Sequence, residues 1–285
     1  MAIPLLTPMS DDVPCPRVVV LVSSLPSSAV TATLFRWIGT DEGSARREEV
    51  RGAFRVSVAG VLSVVDFEVP LDVDVAYQAA LYNAAGNIVE WTDAASTMVV
   101  SPRWNDGRRR VLVQNPLDPR TAMWVQFGGD AASSVVKPTP GQVVWPEGRR
   151  LGLVQGGRRR GMVGVPLDFV TETYEDRERF DALFGTAETP RMPILCIRIP
   201  RELYRTGLPP VWFAAVLEPT AVHRHWSDEV LWRIVADEVA PPVPTLVTPA
   251  LRRADIAAYY GSRQAVRAGN SSRLALSRRF EIAGS

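Results

Sequence analysis

Two histidines, His223 and His225, stand two residues apart in VHRHWSDEVLWRIVADEV, Val222 to Val239, with Asp228 and Glu229 close behind. In an extended chain, residues two apart point to the same face, so both imidazoles could reach one ion. A zinc site wants three or four protein ligands, and beyond this pair the sequence offers only scattered carboxylates. Cys15 and Cys196 are too few for a disulfide framework and cannot complete a metal site by themselves. After the histidines, Val230, Trp232, Ile234 and Ala236 alternate with Leu231, Arg233, Val235 and Asp237, which is the period of a strand. The expectation is therefore a hairpin turning at Ser227-Asp228-Glu229, with no bound metal.

Other chemistries find less. There is no G-x-S-x-G nucleophile elbow and no P-loop. The cluster LVQGGRRRGMVG, Leu153 to Gly164, sets arginines on flexible backbone and could hold phosphate. It lacks a strand-to-helix context and the Lys-Ser/Thr ending, so it reads as a turn with an arginine tip. Three adjacent guanidinium groups, Arg158, Arg159 and Arg160, gain little from folding, which leaves a solvated turn or a contact with an assembly partner. Asp168, Glu172, Asp176 and Glu178 could serve glycoside hydrolysis, but spacing alone does not pair an acid with a base or nucleophile. Trp104 and Trp145 lie in turn-rich contexts where an indole could stack on a sugar ring. No catalytic residue and no cofactor is assigned.

Elements must position these residues. With 285 residues, 46% of them apolar, the chain can build two cored domains. Its formal charge of +1 supplies no global field toward nucleic acid or an anionic membrane, so neither is expected as a partner. Lys137 is the only lysine, so the basic residues are almost all arginine, as in the coding bias of a GC-rich genome. MAIPLLTPMSDD has no basic n-region or long apolar core, and no window reaches the roughly 18 apolar residues of a membrane span. The expectation is a soluble protein made in a reducing cytoplasm.

The fold class expected is mainly β, with two β-sandwich-type domains and a C-terminal arm. Residues 1–105 hold an N-terminal arm and the strands RVVVLVS, VTATLFRWI, AFRVSV, VLSVVDFEV, VAYQAALYN, NIVEW and TMVVS, with Trp37 and Trp91 as core fillers. Ser101 to Met123 reads as the boundary. Residues 106–240 carry MWVQF, VVKPTPGQVVW, RGMVGVPLDFVTET, MPILCIRIP, VWFAAVLEP and the final hairpin, interrupted by one helix in TYEDRERFDALFG. Thr173 and Asp176 begin that helix as a capping box, Phe180, Leu183 and Phe184 form its apolar stripe, and Gly185 ends it. Residues 241–285 are a proline-rich linker and an amphipathic helical arm interrupted at Gly261, expected to detach from the fold and order against a partner.

PLDVDVAYQAALYNAAG, Pro70 to Gly86, resembles the fibronectin type III signature in its proline-leucine turn, its strand tyrosine and its closing Asn and Gly. The longer order of NPLDPRTAM, LDFVTET, FDALFG, MPILCIRIP, VWFAAVLEP and RHWSDEVLWRIVADEVAPP resembles minor tail proteins of long-tailed actinobacterial phages, those similar to the distal tail protein. That resemblance implies a structural virion protein of the tail tip. It would form a ring of its own copies, hexameric as in the family, between the tail tube protein and the baseplate hub, fibre hub or other minor tail proteins. Family members often carry an accessory sandwich after or within the ring domain, whereas here it comes first. A carbohydrate-binding receptor module and a cell-wall polymer hydrolase are the alternatives.

Overall fold

The computed structural model describes residues 2–10, 15–39, 46–185, 190–223, 227–243, 253–270, 276 and 282. The protein is mainly β, with its described strands in four sheets and a few short helices. Contacts divide the chain into two compact units: Met1–Trp104 with Pro116–Met123 and Pro242–Ser285, and Asn105–Asn115 with Trp124–Pro241.

In the first unit β1 (Leu5–Met9), β2 (Arg17–Val22) and β6 (Leu62–Asp66) make one antiparallel sheet. The other sheet has the order β4 (Arg46–Glu49), β3 (Thr31–Ile38), β7 (Val75–Tyr82), β8 (Ile88–Trp91), with β5 (Val56–Ser57) on β3 and β9 (Ala95–Thr97) on β7. The alternation in VAYQAALY holds over its first half, where Val75, Tyr77 and Ala79 are buried and Ala76 and Gln78 are half-buried, whereas Ala79 to Tyr82 are buried on both faces. Asn83 and Gly86 close the β7–β8 hairpin: Gly86 donates to Asn83 O, and its φ of 83° is one that glycine tolerates best.

Two strands escape the sequence pattern, and both lie at sheet edges. LLTPM carries a proline, which an edge strand accommodates because one side of its ladder is unpaired. RREE is fully charged, a composition that discourages pairing with foreign strands. Conversely, AFRVSV contributes only the two residues of β5, and TMVVS yields a bridge between Val99 and Leu71 beyond β9. Trp91 packs against the buried cluster of Phe35, Ala80 and Tyr82, but neither Trp37 nor Trp91 is fully interior. Both are half-buried, Trp91 against Phe35 at 5.5 Å between ring centroids, and the Arg47 guanidinium lies over Phe35 and Trp37. The interior itself is made of smaller Val, Ala and Leu side chains with Tyr77.

The second unit is built on one sheet in the order β14 (Val165–Thr171), β11 (Asp118–Phe127), β10 (Arg110–Asn115), β15 (Ile194–Arg198), β16 (Val211–Ala215), β18 (Val230–Glu238), β17 (Thr220–His223). β14 also pairs with β18 from Val165↔Ala236 to Thr171↔Val230, so the sheet folds over and closes on itself. Closure leaves the inner face dry: Val230, Trp232, Ile234 and Ala236 are buried, as the alternation predicts, and so is Cys196 of β15. β10 is a correction. It lies wholly within the stretch that reads as a boundary, and five of its six residues are buried. Turn-forming Pro, Asn and Arg on both sides mask so short a strand.

The helix α1 (Tyr174–Asp181) follows β14. Thr173 accepts a hydrogen bond from the Asp176 backbone N–H at 3.1 Å and donates its hydroxyl to Asp176 Oδ2 at 2.8 Å, so the two side chains meet rather than exchanging backbone bonds. Gly185 ends the following 3-10 turn with φ 88°. Thr173→Ala should cost about 1 kcal/mol in urea unfolding and Thr173→Ser should be near neutral. Equal losses in both variants would show that the cap is not the cause.

The C-terminal segment forms α2 (Arg253–Tyr260) and α3 (Arg263–Gly269), broken at Gly261 and restarted by the Ser262 cap. It belongs to the first unit, and Ile282 is only 1% exposed. The expected free arm is therefore corrected to a segment with a buried anchor. No periodic pattern could announce one isolated isoleucine.

Candidate functional site

β12 (Gly141–Val144) and β13 (Leu153–Gly156) pair only with each other, register Gly141↔Gly156 to Val144↔Leu153. The pairing continues toward the root, with Gly157 donating to Pro140 O, Arg160 to Pro138 O and Val163 to Val136 O. The root is fixed on β18: Met162 is fully buried, donates to the Glu238 carboxylate and accepts from the Glu238 backbone N–H. Nine residue steps from Val136 to Trp145, at about 3.3 Å each, give the ribbon a reach of about 30 Å. Gly141 is required within it, since a Cβ there would lie 2.5 Å from Gln155 O.

No residue from Gly141 to Arg160 is buried. Yet Val143, Trp145 and Val154 share one face, with Trp145 and Val154 66% and 78% exposed, and Leu153 lies on the other. Leu151, 72% exposed, stands beside them at the turn. A two-stranded hairpin is marginal alone in water, and its strands have unpaired outer edges. VVKPTPGQVVW therefore does not join the main sheet as the sequence suggests. It is one limb of this ribbon, and the glycines and prolines that break its pattern mark the ribbon's departure from the sheet.

Arg158, Arg159 and Arg160 are exposed, but they are not at a tip. They lie on the returning limb near the root, where Arg159 Nε donates to Lys137 O at 3.2 Å. The turn at the far end is Pro146 to Gly148, where Arg149 donates to Pro146 O and Gly148 has φ 79°, so Arg149 and Arg150 are the arginines there. Two turn-like glycine stretches flank a four-residue strand in this region, and sequence alone does not say which of them reverses the chain.

His223 ends β17, exposed and opposite Val230, and His225 lies outside the described residues. Three of the four carboxylates have side-chain partners of their own. Glu172 receives Arg110 at 2.7 Å and Arg108 at 3.0 Å; burial would raise its pKa, but these hydrogen bonds hold it below the ordinary glutamate range. Asp176 accepts the hydroxyl of the α1 cap Thr173, and Glu178 hydrogen-bonds Tyr174, raising the phenol. Asp168 faces Arg233 in the β14–β18 register. Trp104 is half-buried in the first unit, so of the two tryptophans only Trp145 offers an open ring face.

One cluster had no signal in the sequence. In the first unit Arg36 of β3 is buried and reaches the opposite sheet, where Nη1 meets Asp66 Oδ1 and Oδ2 of β6 at 3.1 and 3.0 Å. Nε and Nη2 bond Glu48 Oε2, Tyr77 donates to Asp66 Oδ2 at 2.9 Å, and the Glu68 N–H donates to Oδ1. Burial opposes the Arg36 charge, but the Asp66 and Glu48 carboxylates raise its pKa overall. Nearby, burial raises Glu68 despite its ion pair with Arg51. These groups tie two sheets together, with Arg36, Asp66, Glu68 and Tyr77 all buried. Compared with known proteins, the chain matches no family model, no curated protein and no solved structure.

Proposed function

We propose that this chain is a structural subunit of a phage tail tip, of the distal tail protein kind, which assembles as a ring and joins the tail tube to the baseplate or fibre hub. The observation that carries the reading is the ribbon of β12 and β13, whose apolar side chains have no cover in the single chain. An element of this kind is stabilised when a partner buries it, as at an obligate interface. The two-sheet first unit, with β1-β2-β6 on one side and β4-β3-β7-β8 on the other, agrees with an immunoglobulin-like accessory domain. Its partners on this reading are further copies of itself, the tail tube protein and the hub or other minor tail proteins, and its place is the virion.

Light scattering on purified protein should give the mass of a closed oligomer, six copies by the family resemblance, and negative-stain images should show rings. A monomer at every concentration would overturn the reading. One observation favours a second reading: Trp145 offers an exposed indole of the type that stacks on sugars, as a carbohydrate-binding module of the tail tip would need. Binding of cell-wall glycan by a monomeric parent, lost in Trp145→Ala, would select it.

A further inference from the structure

We infer that the ribbon of β12 and β13 is an arm that docks head to tail on the body of a second copy of this chain. This rests on the ring reading above and names the surface that would make the ring.

Charge identifies the occupant. Between Val136 and Val163 the chain carries Lys137, Arg149, Arg150, Arg158, Arg159 and Arg160 against Glu147 alone, a net of +5 in a chain whose total is +1. The remainder therefore carries −4. A basic arm and an acidic body on the same polypeptide repel arm from arm and attract arm to body. Apolar content then supplies the contact: Val143, Trp145 and Val154 form a cross-strand row with a tryptophan at one end, the residue type that most often dominates an interface. The unpaired strand edges allow main-chain pairing with the acceptor. Contact between unlike surfaces of identical chains is heterologous, and it closes into a ring when the rotation per subunit divides a full turn.

An arm-less chain, with residues 138–160 replaced by a short Gly-Ser turn, separates the possibilities. Its root at Met162 and Glu238 is untouched, so its thermal unfolding should match the parent while light scattering finds a monomer. Added in excess to the parent, it still offers an acceptor body, so it should cap the assembly and lower the parent's mass. A Trp145→Ser/Val154→Ser variant, which keeps the backbone, should weaken self-association on the order of 30-fold. An arm-less chain that assembles like the parent would overturn the arm but leave the ring standing. A parent assembly unaffected by excess arm-less chain would mean that arms meet arms, and would also overturn it. A parent that is monomeric throughout would overturn both the arm and the ring.

Discussion

Asp66→Ala should lower the stability of the first unit by about 3–5 kcal/mol, because it leaves the Arg36 guanidinium buried without its main counter-charge. Asp66 is only 2% exposed, so water cannot replace the carboxylate without opening the two sheets. Four donated hydrogen bonds converge on it: two from Arg36, one from the Tyr77 hydroxyl and one from the Glu68 backbone. A buried ion pair adds little over a well-packed apolar pair, but half of one is costly, since the remaining charge has lost its hydration and its partner. For a unit of this size, Met1–Trp104 with Pro116–Met123 and Pro242–Ser285, each kcal/mol is about 2–4 °C, so the loss should exceed about 6 °C in the thermal transition assigned to this unit. Tyr77→Phe should cost about 1–2 kcal/mol, and its effect should largely vanish in the Asp66→Ala background, because the two act on one network. A transition that moves by less than about 1 kcal/mol in Asp66→Ala would show that Glu48, with the Glu68 carbonyl that accepts from Arg36 Nη1 at 2.8 Å, suffices to hold Arg36.

This cluster also marks where sequence reading ends. Periodicity correctly set the inner faces of β18 and of the first half of β7 and the N-cap of α1, because each signal is local and repeats within a few residues; α1 itself ends at Asp181, and Gly185 stops the 3-10 turn beyond it. Arg36 sits in a strand among residues that could face either way, and only the pairing of distant β3 and β6 across a sandwich makes it interior. Likewise β10 was hidden because its burial comes from β11 and β15 rather than from its own six residues. The ribbon was partly legible. Its valines, tryptophan and arginines were visible, but its separation from the main sheet depends on which strands close that sheet, namely β14 and β18. The strand LLTPM and the charged strand RREE show the opposite case, edges whose composition argues against a strand because edges must discourage partners.

Phe180→Ala should cost about 3–5 kcal/mol in the second unit and release α1 from the sheet. Only one residue of α1 is buried, and it is this one. Its ring lies 4.8 Å from Trp232, 5.7 Å from Phe169 and 5.6 Å from Phe184 between centroids, and Phe169 continues the cluster to Phe127. Such tilted and edge-on aromatic contacts add to the apolar area buried, so truncation removes both and leaves a cavity at the helix contact. The rest of α1, YEDRERFD, is mostly charged, and an eight-residue helix is not stable by itself in water. Losing Phe180 should therefore reach beyond the cavity: the chain after α1, where the Leu183 carbonyl accepts from Asn115 Nδ2 of β10, should lose its order too. Hydrogen exchange should find the amides of α1 unprotected in Phe180→Ala while those of β15 and β18 stay protected, and near-UV circular dichroism should lose intensity as the Trp232 environment relaxes. Phe180→Leu, which keeps most of the volume, should cost about 1.5 kcal/mol or less and retain the α1 protection. Protection of α1 in Phe180→Ala equal to that of the parent would mean that Leu183 and the Thr173 cap hold the helix, and that the aromatic cluster is filling rather than anchor.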